Sequence, residues 1–185
     1  MIIPKLDFNL CLNKAKEKAQ LMIDNWLYSR FNLSDKERLD KATLWCMWEI
    51  VFEKYLKEQW IEYSLDTTNF QIKNSDEFDF LINNKKVDIK VAKKTTINTP
   101  NDNWTYWYPE EQSPINKDFV VIWWVDFTNQ KVWFYWWIEW KKISLYKVVT
   151  KNSFAWYPYL TPNHEFKWGE LNKDFNELLK ILKNK

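Results

Sequence analysis

A single glycine, Gly169, serves a chain of 185 residues that also carries 14 tryptophans. Average usage of about 7% would place roughly 13 glycines in a chain of this length. Glycine is the default wherever the backbone takes positive φ or approaches another backbone closely. A chain almost without it must build turns and helix ends from other residues, or hold large side chains where they are strained. Several tryptophans stand in glycine-like contexts. Trp60 in KEQWIEY ends a helical pattern, the usual place for a glycine just past the C-cap. Trp140 in IEWKKI falls at a turn before a basic pair, and Trp136 or Trp137 in FYWWIEW and Trp156 in SFAWYPY are placed similarly. The two counts together make an ordinary total for Gly plus Trp. One reading is that many of these positions are UGA codons, translated here as Trp, from a host that reads UGA as glycine. The other is a Trp-rich module that stacks on sugars or bases. The codons decide between them.

The remaining totals set bounds. At 22.9 kDa the chain is long enough for one domain with a proper core. A net charge of +2 neither demands nor excludes a nucleic-acid partner, and only Arg30 and Arg38 of the 27 basic residues are arginine. Cys11 and Cys46 have no CxxC or histidine partner at metal spacing, which argues against a thiolate zinc site. The start, MIIPKLDFNLCLNK, lacks a signal-peptide pattern, and no run approaches the roughly 20 apolar residues that span a bilayer. A soluble cytoplasmic protein without a membrane partner is the expectation. The lone histidine, His164 in TPNHEF, reads as structural, and one glycine cannot make a glycine-rich phosphate loop.

Apolar periodicity predicts a helix over 12–30 and a second from about Asp35 to Gln59, with Ser34 as N-cap and Glu37 completing a capping box. IEYSLDTTNFQI alternates like a strand, FDFLI and KVDIKV pair as a hairpin, and 94–118 reads as a long surface loop. FVVIWWVDF and VWFYWWIEW form a second hairpin across TNQK, and ELNKDFNELLKILKN is a closing helix, about 169–184. The aromatics of 123–140 are not confined to one face, which favours sheet packing over a stacking platform. The order predicts one α/β or α+β domain with a mixed sheet.

The hairpin FDFLINNKKVDIKV carries the chemistry. Asn tolerates positive φ, so Asn83-Asn84 suits a two-residue turn. Ile82 then pairs with Lys85, Phe80 with Val87, Asp79 with Asp88, and Glu77 with Lys90. Phe78, Phe80, Val87 and Ile89 form an apolar face for a helix to cover, with Asp88 and Lys90 opposite. Opposed carboxylates are destabilising unless a cation compensates them. Mg²⁺ takes one or two carboxylates plus water and phosphate, and Lys90 adds a positive charge beside the scissile group. Such an arrangement can cut a phosphodiester. An ordinary exposed hairpin with a Glu77–Lys90 pair is the plainer alternative, and a four-residue loop would set Asp79 opposite Lys90 instead.

Asp79, eight intervening residues and Asp88-Ile89-Lys90 resemble the D-x(n)-(D/E)-x-K signature of the PD-(D/E)xK nuclease superfamily. The resemblance covers roughly 41–94, continuing more weakly into the second hairpin. It implies a restriction-endonuclease-like fold, a mixed central sheet flanked by helices, in a single nuclease-like domain spanning 1–185 with its catalytic core at about 35–140. The family's first acid and its triplet sit on adjacent antiparallel strands, and many members add a glutamate from the preceding helix, here Glu49 with Glu53 as fallback. By the resemblance Asp79, Asp88 and the Ile89 carbonyl hold Mg²⁺ or Mn²⁺, with Glu49 as a further ligand or water-orienting group. Lys90 places the attacking water or stabilises developing charge. The implied activity is metal-dependent DNA endonuclease, and Lys85, Lys86, Lys93 and Lys94 are phosphate contacts. A homodimer that cuts both strands is compatible with it. The chain departs from the pattern in having Phe78 where the family name has proline, and in showing no helix between the triplet strand and the next. The alternative function is a non-catalytic nucleic-acid-binding module using lysines and aromatics.

Overall fold

The computed structural model describes residues 7–25, 32–66, 78–93, 101–112 and 116–184. Helix α1 (Phe8–Asp24) starts four residues before the predicted boundary, because Asp7 caps it by accepting from Leu10 N at 2.9 Å. Helix α2 (Asp35–Glu58) begins as predicted. Glu37 N donates to Ser34 Oγ at 3.3 Å and Ser34 N donates to Glu37 Oε2 at 2.8 Å. Past its C-cap, Trp60 N donates to Lys57 O and Ile61 N to Leu56 O, the paired bonds of a Schellman ending. Trp60 closes that motif at φ 56° with its indole 94% exposed.

Five strands form the main sheet in the order β1 (Ser64–Leu65), β2 (Phe80–Ile82), β3 (Lys85–Lys93), β5 (Phe119–Asp126), β6 (Lys131–Glu139). β1, β2 and β3 run antiparallel, β3 and β5 parallel, and β5 and β6 antiparallel. The first strand is much shorter than IEYSLDTTNFQI suggested, and Thr67 onward in that segment lies outside the described residues. The parallel pair needs a crossover, and the stretch read as a surface loop provides it. Within it β4 (Thr105–Pro109) leaves the main sheet and joins β7 (Val148–Lys151) and β8 (Pro158–Lys167) in a second sheet, ordered β4-β8-β7. Alternation in TYWYP, masked in sequence by three nearby prolines, is what makes β4 a strand. The described part of the crossover holds no α-helix and has a 3-10 turn at Glu110–Gln112.

β5 is buried along its whole length because both faces are covered. Val121, Trp123 and Val125 meet α1, α2 and α4 (Phe175–Lys183) in one core. Val120, Ile122 and Trp124 meet the second sheet and α3 (Trp140–Ile143) in another. The fold is therefore mixed α+β, with its central mixed sheet carrying helices on one face and a small sheet on the other. α4 starts only after Asp174, which caps it through Asn176 N and Glu177 N; residues 168–170 form a separate 3-10 turn. No described helix is long and apolar enough to cross a membrane.

The described tryptophans include two contrasting groups, besides the half-buried Trp45 and Trp104 and the exposed strand residue Trp107. Trp60 and Trp156 sit at positive φ, 56° and 60°, on the surface. Trp48, Trp123, Trp124, Trp136, Trp137, Trp140 and Trp168 are buried, and the Trp48 and Trp124 indole N–H groups have no hydrogen-bond acceptor among the described residues. Trp140 packs in the core as the first residue of α3, with no positive-φ turn, and Trp136 and Trp137 are strand residues.

Candidate active site

Asn83 and Asn84 form the two-residue turn, at φ 46° and 61°, and set the expected register of Phe80 with Val87 and Ile82 with Lys85. The turn is clamped to the C-terminal end of α4. Asn83 Nδ2 donates to Leu182 O, and Lys85 Nζ to Asn184 O, each at 2.7 Å. Lys85 is thus engaged in closing the fold, with its charge where a helix C-terminus favours a cation.

Val87 and Ile89 enter the helix-side core, which sends Asp88 and Lys90 to the other face. There Asp88, 1% exposed, accepts from Lys90 Nζ at 2.7 Å and from Tyr108 Oη of β4 at 3.0 Å. Lys90 Nζ also lies 5.4 Å from the centre of the Tyr108 ring. Lys117, 5% exposed, donates to Gln112 O at 2.9 Å, and its charge acts on the same carboxylate. Burial pushes the Asp88 carboxyl up, but Lys90 and Lys117, with the hydrogen bonds from Lys90 and Tyr108, hold it below the usual range. Asp88 is ionised at neutral pH.

Asp79, 4% exposed, precedes β2 and donates its own N–H to Val87 O at 3.1 Å. One carboxylate oxygen accepts from Ile89 N, the middle residue of the triplet, and the other from Trp45 Nε1 of α2 at 3.3 Å. The carboxylate takes the place of a strand partner at the edge of β3. The like charges expected to face each other are compensated separately, Asp79 by N–H donors and Asp88 by ammonium groups and a phenol. Glu49, on α2, forms an ion pair with Lys18 of α1. Burial alone would lower the Lys18 pKa, but the Glu49 charge and hydrogen bond raise it, with a smaller contribution from Asp79. Glu49 and Asp79 therefore share the field of one ammonium group.

Among the described residues, no three of His, Cys, Asp and Glu converge closely enough to hold a metal ion. Mg²⁺ needs only one or two carboxylates when water and phosphate complete its shell. Asp88, next to Ile89 in the chain, and Asp79, which accepts from Ile89 N, are hard oxygen donors of the kind such an ion takes, Asp88 meeting Tyr108 of β4 and Asp79 meeting Trp45 of α2. Both cysteines are buried, and burial pushes the Cys46 thiol up to about 12, so it offers no thiolate.

The other predicted residues are placed as follows. Glu53 bonds Lys57 Nζ at 2.7 Å and Tyr63 Oη at 2.6 Å, in a network of its own. Lys86 Nζ lies 5.5 Å over the Phe78 ring, Lys93 ends β3, and Lys94 and Glu77 lie outside the described residues. His164 is buried with Nδ1 3.0 Å from Tyr146 O, packed edge-on against Trp140, as a structural histidine. Sequence reasoning missed Lys18, Trp45, Tyr108 and Lys117. Tyr108 and Lys117 sit in the stretch read as a loop; only the parallel pairing of β3 with β5 brings it over the triplet. Comparison with protein-family models, with curated proteins and with solved structures found no match to this chain.

Proposed function

We propose that the protein is a Mg²⁺-dependent DNA endonuclease with a PD-(D/E)xK-type site on a restriction-endonuclease-like fold. The observation that carries this reading is the Asp79–Ile89 tether. It joins the first acid to the backbone of a triplet whose aspartate and lysine form a buried ion pair. Isolated buried charges are costly, and a surface hairpin has no reason to enclose two carboxylates. Asp79 and Asp88 would hold the metal, with the Ile89 carbonyl and Glu49 as the further donors implied by the resemblance. A bound ion acts as a Lewis acid on the phosphate and lowers the pKa of its water. Tyr108 fixes the orientation of Asp88. Lys90 and Lys117 keep that carboxylate ionised, and Lys90, whose side chain is 20% exposed, is the cation of this group that reaches toward solvent. Lys90 is therefore placed to meet a substrate phosphate.

The test is cleavage of supercoiled plasmid with Mg²⁺, Mn²⁺ or EDTA, comparing wild type with Lys90→Ala and Asp88→Asn. Metal-dependent nicking that falls at least about a hundredfold in both variants is the expected result, in line with loss of charge stabilisation at the reacting centre. DNA binding without cutting under any metal would replace this reading with the non-catalytic binding module.

We also propose that glycine is the native residue at positions 60 and 156. Both tryptophans occupy the left-handed region, where a non-glycine residue costs about 1–2 kcal/mol, and Trp60 fills the position where Schellman endings place glycine. UGG codons at both positions in the gene would end this proposal.

A further inference from the structure

Two lysine–carboxylate pairs at the site are built differently. Lys90 and Asp88 lie two residues apart on one face of β3, with side chains 20% and 1% exposed. Lys18 comes from a different helix, reaching from α1 to Glu49 on α2, with side chains 40% and 12% exposed. The packing of the two helices fixes that meeting. Met22, one turn after Lys18, places its sulfur 3.4 Å from Cys46 Sγ, in the same turn of α2 that carries Trp45 and Glu49.

Asp79 meets that turn as well. Trp45 Nε1 donates to it at 3.3 Å, and Trp45 and Glu49 share a helix face at a spacing of four. The Lys18 charge acts on both carboxylates. One ammonium offsets one negative charge, whereas a divalent ion offsets two. Both acids present oxygen, the donor that a hard divalent ion takes. The Glu49 oxygen that accepts from Lys18 cannot hold a metal along the same direction. A lysine ammonium is strongly hydrated and sits on a flexible four-carbon stem. Lys18 already has part of its side chain in water, so it can retreat there without moving its helix.

We propose that Lys18 controls metal loading of the site: its ammonium takes the Glu49 side of the cation position, and a divalent ion enters by displacing it into solvent. The proposal rests on the nuclease reading, in which Asp79 and Glu49 serve the metal. It adds a residue of α1 to the site and makes occupancy a competition between two cations.

The experiment is a Mn²⁺ titration that reads free Mn²⁺ by electron paramagnetic resonance. It is run in about 0.15 M KCl, where exposed charges more than about 8 Å apart are largely screened. Wild type, Lys18→Met, Lys18→Gln, Lys16→Met, Glu49→Gln and Lys18→Met/Glu49→Gln are compared, with thermal melts verifying folding. Lys16 is exposed on the same helix, so Lys16→Met removes the same net charge away from the pair. Lys18→Met should bind Mn²⁺ about tenfold more tightly than wild type. Lys18→Gln carries the same expectation while keeping an amide donor for Glu49, so it decides the matter if Lys18→Met does not fold. Lys16→Met should change affinity by less than about twofold. The gain should vanish when Lys18→Met is combined with Glu49→Gln, the mark of a direct coupling.

Unchanged or weaker Mn²⁺ binding in the Lys18 variants overturns the proposal. So does an equal gain in Lys16→Met, or a gain that persists without the Glu49 carboxylate. Metal-dependent plasmid cutting with equal affinities in wild type and the Lys18 variants removes this inference alone. A Glu49-dependent gain in affinity without any cutting supports it and removes the nuclease reading alone. Absence of saturable Mn²⁺ binding in every variant removes both.

Discussion

The hairpins β2–β3 and β7–β8 depart from the usual allocation of residues in opposite directions. The first carries Asp79 and Asp88 into the interior, while the second leaves Phe154 and Leu160 in water. Burying ions carries a penalty of several kcal/mol each, offset only by well-placed partners. Exposing apolar side chains forgoes about 25 cal/mol for each Å² left in water. Neither choice serves stability, and departures of this kind are expected at functional positions. The first hairpin spends its departure on fixing charges, the second on presenting flat apolar surface. The same folding rules are thus departed from in two opposite ways.

The comparison breaks most decisively at Lys90. Lys90→Ala leaves the buried Asp88 carboxylate without its closest cation, and should destabilise the fold by about 3 kcal/mol in urea denaturation. A change below about 0.5 kcal/mol would mean the pair is no more than a surface contact. The sign with pH follows from the depressed Asp88 pKa. Its stabilisation is complete above the unfolded aspartate value of about 3.9 and is lost as pH falls through the lower folded value. The gap between wild type and Lys90→Ala should hold from about pH 5 to 8 and narrow below about pH 4. A gap that widened on acidification would contradict the assignment.

The turns sharpen the contrast at smaller scale. The first hairpin meets its need for positive φ with Asn83 and Asn84, whereas the second has Trp156 at φ 60°. Trp156→Gly and Trp60→Gly should each stabilise by about 1 kcal/mol, raising Tm by about 2–4 °C. Trp156→Gly should gain less, because Lys151 Nζ lies 4.6 Å over that indole. Lower melting temperatures in both variants would show that tryptophan suits these positions. The smallest effect belongs to the exposed tip. Phe154→Ser should leave stability within about 0.5 kcal/mol of wild type, since the residue is 83% exposed.

Local rules made much of the first hairpin readable. Two asparagines specify a tight turn, and a period of two then sends Val87 and Ile89 to the core and Asp88 and Lys90 away from it. The α2 start was equally readable, because Ser34 and Glu37 satisfy each other's backbone within three residues. The second sheet was not readable. TYWYP is only five residues among prolines, and its partner β8 lies some fifty residues on, so no local pattern announces the pairing. Tyr108 and Lys117, which complete the environment of Asp88, were hidden for the same reason. The separate compensation of Asp79 was also invisible, since hairpin register sets which residues oppose but not which donors their side chains find.

The amino-acid order alone determined the capping of α2, the register of β2 on β3, and the placement of Asp88 and Lys90 on the face of β3 opposite Val87 and Ile89. These depend on dihedral preferences and alternation, which act over a few residues. Tertiary structure decided that β5 lies parallel to β3, that a second sheet covers the acidic face, and that an apolar hairpin tip remains uncovered. Those outcomes depend on which distant segments meet, and on the energy of enclosing charge or leaving carbon in water once they do.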